Sequence, residues 1–183
     1  MKTLKEPLAM KKMLSTLAVA IALTGVQASA QDVADMSDLE YAHIAYTADN
    51  IDIRYAHLAL ALSNNPDIHE FANTMIRDHT AVNEAALALL ERLGATAQDN
   101  AFSQTLNANA EEIIDTLSAL RGAEFDAAYA ANELAYHQTV NDLVENTMIP
   151  NIDNDEVRAL FVQGLEIFQA HEGHAEMMVE ALQ

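Results

Sequence analysis

The segment PDIHEFANTMIRDHTAVNEAALALLERL, Pro66 to Leu93, decides how the chain is read. Placed 100° apart, its apolar side chains gather on one arc: Ile68, Phe71, Ala72, Met75, Val82, Ala86, Leu89, Leu90 and Leu93. His69, Glu70, Arg77 and Glu84 fall on the opposite side. The pattern predicts an amphipathic helix with Pro66 at its first position and Gly94 just past its end. One polar residue, His79, lies near the middle of the apolar arc. A histidine there points into a core and needs a hydrogen bond, a carboxylate or a metal.

The same periodicity repeats on either side. Ser37-Asp38-Leu39-Glu40 is a capping box that opens a helix running to about Leu62. Its apolar arc holds Ile44, Ala48, Ile51, Tyr55, Leu58 and Ala59, with Tyr46, Ile53 and Leu60 on its far side and Asp52 between the two groups. His43 and His57 fall on the polar face, which argues against a metal role for the Glu40-x-x-His43 spacing. The short break Ser63-Asn64-Asn65-Pro66 makes the first two helices antiparallel neighbours. Thr96 to Asn100 reads as a loop, Phe102 to Leu120 as a helix, and Gly122 as an interruption. The stretch 95–121 is longer than a hairpin needs and can cross the length of a bundle. A third long helix is expected from about Ala123 to Met148, with Phe125, Tyr129, Tyr136, Val140, Leu143 and Val144 on its apolar arc. Glu133 lies within that arc and His137 at its edge. Pro150 breaks the chain, and Asp153 or Asn154 caps a last helix reaching Leu182, with His171 in its core face and His174 at the margin.

Composition agrees with an all-α fold. The 183 residues suit one domain, with 5 Gly, 3 Pro and no Cys, so thiolate sites, disulfides and lipidation on Cys are excluded. Residues 1–30 read as a secretory signal peptide rather than part of the fold. Lys2, Lys5, Lys11 and Lys12 precede the apolar run Leu14 to Leu23, and Ala28-Ser29-Ala30 forms an A-x-A cleavage site. Met10 is an alternative start. The apolar run is too short for a membrane anchor. The domain is therefore expected over residues 31–183, in the periplasm or secreted. After cleavage 5 Arg face 27 acidic residues, a net charge of −22 with no Lys. Such a surface repels nucleic acid and anionic lipid. No membrane insertion is expected after cleavage, and assembly into a homo-oligomer is left open.

Each of four amphipathic helices thus carries a metal-competent residue where an apolar one belongs: Asp52, His79, Glu133 with His137, and His171. A lone core histidine is ordinarily a satisfied structural residue; four such positions on facing helices point to a shared site. Depth supports this. At about 1.5 Å per residue, Asp52 and His79 lie about 18 and 20 Å from the first inter-helix turn. If the 95–121 stretch returns the chain to that end, Glu133, His137 and His171 come within one to two turns of the same level. In a simple up-down-up-down bundle the two pairs miss by roughly 8 Å.

The pieces Asn73-Thr74-Met75-Ile76-Arg77-Asp78-His79-Thr80 and Gly122-Ala123-Glu124-Phe125-Asp126-Ala127-Ala128-Tyr129, then His137, then His171 with Ala175, resemble a bacterial exported ferritin-like family. It is a domain-of-unknown-function family whose members often carry an outer-membrane-protein label. The resemblance covers most of the chain after the signal peptide. It implies a ferritin-like four-helix bundle with a long crossover and an extra helix between the second and third long helices. It supplies no activity. Where that family carries an acidic residue, usually Glu, this chain has Asp52.

True di-iron proteins of this fold place Glu three residues before each histidine of the pair; here those positions are Ile76 and Phe168. The remaining set, Asp52, His79, Glu133, His137 and His171, suits one transition metal ion or a weakened pair. Imidazole and carboxylate without thiolate fit Fe, Zn, Mn, Ni or Cu. His171, His174 and Met178 at i, i+3, i+7 would lean toward copper, with core packing the plainer account of Met178. Three readings follow: metal buffering, storage or stress protection; a metal-dependent oxidase or peroxide-consuming enzyme; and a metal-free helical interaction module with a hydrogen-bonded polar core.

Overall fold

The computed structural model describes residues 33–183; the expected signal peptide lies outside the described residues. Five long helices form a bundle, and no strand occurs among the described residues. They are α1 (Asp38–Leu62), α2 (Pro66–Leu93), α3 (Ala101–Ser118), α4 (Gly122–Leu143) and α5 (Asp155–Ala181). A π-helical turn, Val144–Met148, and a short helical turn, Ile149–Asn151, close α4. Pro150 lacks the N–H that a continuing α-helix requires. No helix among the described residues is long and apolar enough to cross a membrane.

Local chemistry sets the boundaries. Ser37 and Glu40 form the reciprocal capping box of α1. Asn65 caps α2 ahead of Pro66, and Gly94 ends it at φ 64° in the left-handed region. Asn100 and Ser103 cap α3, and the Asn154 side chain accepts from Glu156 N and Val157 N at the start of α5.

Hydrogen bonds fix the direction of each helix. α3 starts beside the start of α1, where Gln98 N donates to Leu39 O at 2.9 Å, and it lies along the outer face of α1, with Arg54 paired to Glu111 at 2.6 Å. α4 starts at the opposite end, where Ser63 Oγ donates to Asp126 Oδ1 at 2.6 Å. α5 begins back at the first end. There Asp38 accepts from the backbone N–H groups of Asp153 and Asn154, and Arg92 pairs with Glu156. α1, α2, α5 and α4 therefore enclose the core, each antiparallel to the next. His43 departs from the expected water-facing position: it is half-buried, and its Nδ1 shares a 3.0 Å hydrogen bond with Ser103 Oγ between α1 and α3. The helical wheel of α1 places it on the polar face, but α3 covers that face. His57 is exposed.

The core is layered. One apolar cluster joins Ile51, Tyr55, Phe71, Met75, Phe125, Tyr129, Ala175 and Met178. A second joins Val33, Tyr41, Ile44, Leu89, Val144, Ile152, Val157 and Phe161 at the other end. Between them every enclosing helix contributes buried polar residues: Asp49 and Asp52 from α1, His79 and Asn83 from α2, Asn132, Glu133, His137 and Asn141 from α4, and His171 from α5. Met178 belongs to the first apolar cluster, the packing role expected of it.

Candidate metal centre

The polar layer exists because four helices place their anomalous residues at one height. Asp52 and Glu133 have no exposed surface, and His79, His137 and His171 are buried to within 3 %. All five expected residues converge. His79 Nε2 lies 2.5 Å from Asp52 Oδ2, His137 Nε2 lies 3.6 Å from the same oxygen, and His137 Nδ1 lies 3.9 Å from Glu133 Oε2. The imidazole ring centres of His79, His137 and His171 are 5.3 to 5.9 Å apart. Two overlapping triads have ligand atoms within 4.8 Å of one another: His79, His137 and His171, and Asp52, Glu133 and His137.

Each imidazole is anchored through one nitrogen; the other is bare in His137 and His171 and is turned onto the Asp52 carboxylate in His79. His79 Nδ1 donates to Asp49 Oδ1 at 2.8 Å, His137 Nδ1 to the Glu133 carbonyl at 2.9 Å, and His171 Nε2 to Asp78 Oδ2 at 3.0 Å. Among the described residues, His79 Nε2, His137 Nε2, His171 Nδ1 and both oxygens of Asp52 and of Glu133 have no hydrogen-bond partner. The close approach of His79 Nε2 and Asp52 Oδ2 is a buried ion pair, in which the carboxylate and the ring hold each other charged. A buried polar atom without a partner costs about 1–3 kcal/mol, more for a charged group. The residues thus could hold a cation: oxygen acceptors outside orient the rings, and the remaining nitrogens and carboxylate oxygens gather in two groups that share His137.

Electrostatics divides the protons of the metal-free layer. Burial opposes charge on His79, yet the Asp52 and Asp49 carboxylates outweigh it and push its pKa up to about 10. Burial likewise opposes ionisation of Asp52, but His79 and His137 hold it below the usual carboxylate range. Glu133, buried and beside that anion, is pushed well above the ordinary value, and burial also raises Asp49. Burial pushes His137 down and His171 down to about 4. Neutral imidazoles are the form that ligates metal.

Asp49 and Asn141 escaped the sequence reading. Asp49 looks like an ordinary polar residue on α1, although Asp49-x-x-Asp52 is a spacing that puts two carboxylates on one face. Asp78, adjacent to His79, instead serves His171, and Arg77 holds its carboxyl low through a bidentate pairing. Phe168, at a position where a di-iron site would need Glu, stacks on His79 with ring centres 4.6 Å apart and planes 11° from parallel. Tyr136 ties α4 to α1 by donating to Ala48 O at 2.9 Å. His174 packs edge-on against Phe71.

No curated protein and no solved structure matches the chain. A family model described as domain of unknown function DUF4142 matches residues 23–178, so a helical bundle with a buried histidine and carboxylate layer is here the structure of a member of the DUF4142 family.

Proposed function

We propose that the protein is an exported, ferritin-like metal-binding protein that buffers or stores a transition metal, or protects against metal stress, through Asp52, His79, Glu133, His137 and His171. The observation that carries this reading is the gathering of three buried imidazoles, each anchored through one nitrogen by an oxygen, with His137 Nε2 and His171 Nδ1 unpartnered among the described residues and His79 Nε2 turned onto the Asp52 carboxylate. A metal-free hydrogen-bonded core would satisfy those atoms internally. The ferritin-like part rests on connectivity: two antiparallel helices, a helix lying along the first, then a second antiparallel pair closing on the same layer. Three imidazoles and two carboxylates without thiolate suit Fe, Zn, Mn, Ni or Cu. When bound, such an ion supplies a centre of positive charge that replaces the protons shared in the layer.

The deciding experiment is elemental analysis of the protein isolated from its native compartment without a metal-binding tag. The expected result is about one equivalent of a transition metal, absent from His79→Ala. A metal-free preparation that also takes up no Fe, Mn, Zn, Ni or Cu overturns the proposal.

A further inference from the structure

The residues of the layer are almost wholly buried, so an ion must reach them from a groove at the surface. A groove of about 430 Å³ runs between α4 and α5 on the surface next to the layer. Asp142, Glu145, Glu172 and Glu176 line it, with no Lys, Arg or His. The floor is Asn141, one turn beyond His137 on α4 and 4 % exposed. Its Nδ2 donates to Glu172 Oε2 at 2.8 Å and to Phe168 O at 3.2 Å, while its Oδ1 is buried and has no partner among the described residues. Glu172 follows His171 directly in the chain. The Asn141–Glu172 hydrogen bond thus joins, across the groove, the two chain segments that carry His137 and His171. Gly173 also lines the groove, and a Cβ added there meets nothing within 4 Å.

Resting on the metal-binding reading above, we infer that this groove is a loading site for divalent cations. Its carboxylates capture the hydrated ion, and Asn141 Oδ1 offers the first buried oxygen on the way to His137. Focused negative charge raises cation on-rates by about 10- to 1,000-fold, steeply dependent on salt. The alternative path, a groove lined by Thr74, Asp78, Glu166, Ile167 and His174 that reaches His171, is less suited. Asp78 there is already committed to Arg77 and His171, and the Arg77 guanidinium sits beside it.

The test is stopped-flow loading of the metal-free mature protein with Co(II) alone at low ionic strength, followed by release into a chelator. The Glu172→Gln/Glu176→Gln double variant keeps the side-chain shapes and is expected to load about tenfold more slowly. Release slows in step, so equilibrium affinity shifts less than about threefold. Gly173→Leu, which fills the groove and keeps every charge, is expected to slow loading as well. Unchanged loading in both variants overturns the inference, as does lost affinity with unchanged release. Slowing confined to Glu166→Gln overturns it too, by moving the path to the other groove. A wild-type protein that takes up no Co(II), Zn(II), Mn(II), Ni(II), Cu(II) or Fe(II) brings down the metal-binding reading itself.

Discussion

Asp49 Oδ1 lies 2.8 Å from His79 Nδ1, both side chains almost wholly buried, and this contact turns the other nitrogen of the ring toward Asp52. The bond selects the tautomer that leaves Nε2 free once the ring is neutral, and it strengthens that nitrogen as a donor to metal. Asp49→Asn keeps the volume and removes the charge. It is expected to weaken metal affinity about 10- to 100-fold, the usual range for an outer partner of a ligating histidine. Competition with a calibrated chelator reads this out; an unchanged dissociation constant would reduce Asp49 to a packing residue.

His79→Ala removes the ring on which Asp49, Asp52 and the Phe168 face converge. Metal binding should disappear, whereas His57→Ala, on the exposed face of α1, should leave it untouched. Titration calorimetry of the two variants in parallel separates a ligand from a bystander.

The metal-free protein should lose stability as pH rises from 7 to 10. His79 has its pKa raised from 6.5 in the unfolded chain to about 10 in the fold. Its contribution is therefore complete below about pH 6.5 and is lost as pH climbs through about 10. Glu133, also raised, acts in the same sense from its unfolded value of 4.5 upward. His171, lowered to about 4, acts oppositely, and only between pH 6.5 and 4. Bound metal replaces the shared protons, so the decline above pH 7 should flatten in the loaded protein. Thermal melts of both forms across this range check the sign, and a metal-free melting temperature that rises with pH would refute it.

Two glycines should respond with opposite signs. Gly122 opens α4 at φ 57°, where an L side chain costs about 1–2 kcal/mol, so Gly122→Ala should destabilise. Gly173 lies inside α5 with open space around an added Cβ, so Gly173→Ala should stabilise by roughly 0.5–1 kcal/mol. Urea midpoints at constant slope measure both.

Much of this arrangement is legible in the sequence because helices impose a single period. His79 stands out on the arc of α2 because every neighbour on that arc is apolar, and Glu133 stands out on α4 for the same reason. The Ser37 capping box, the Pro66 start and the Gly94 stop are local signals that tertiary contacts do not override. Asp49 and Asn141 were not legible, since a wheel cannot tell a buried polar residue from an exposed one at the edge of the apolar arc. His43 was misplaced because its burial depends on α3, a helix 60 residues away in the chain. Asp78 serves His171 across 93 residues, a pairing that only the packing of α2 on α5 creates.

The split of the apolar core has a consequence for how the molecule opens. Tyr55, Phe71 and Phe125 hold one end together and Tyr41, Val144 and Phe161 the other, while the middle is held by groups that repel water poorly. Hydrogen exchange should then resolve two protected blocks in the metal-free protein, with the amides around residues 49–52 and 133–137 exchanging through openings at the waist. An ion bound there would rivet the four helices at that height and fuse the blocks into one cooperative unit, so metal content would set the number of folding units as well as the stability of the fold.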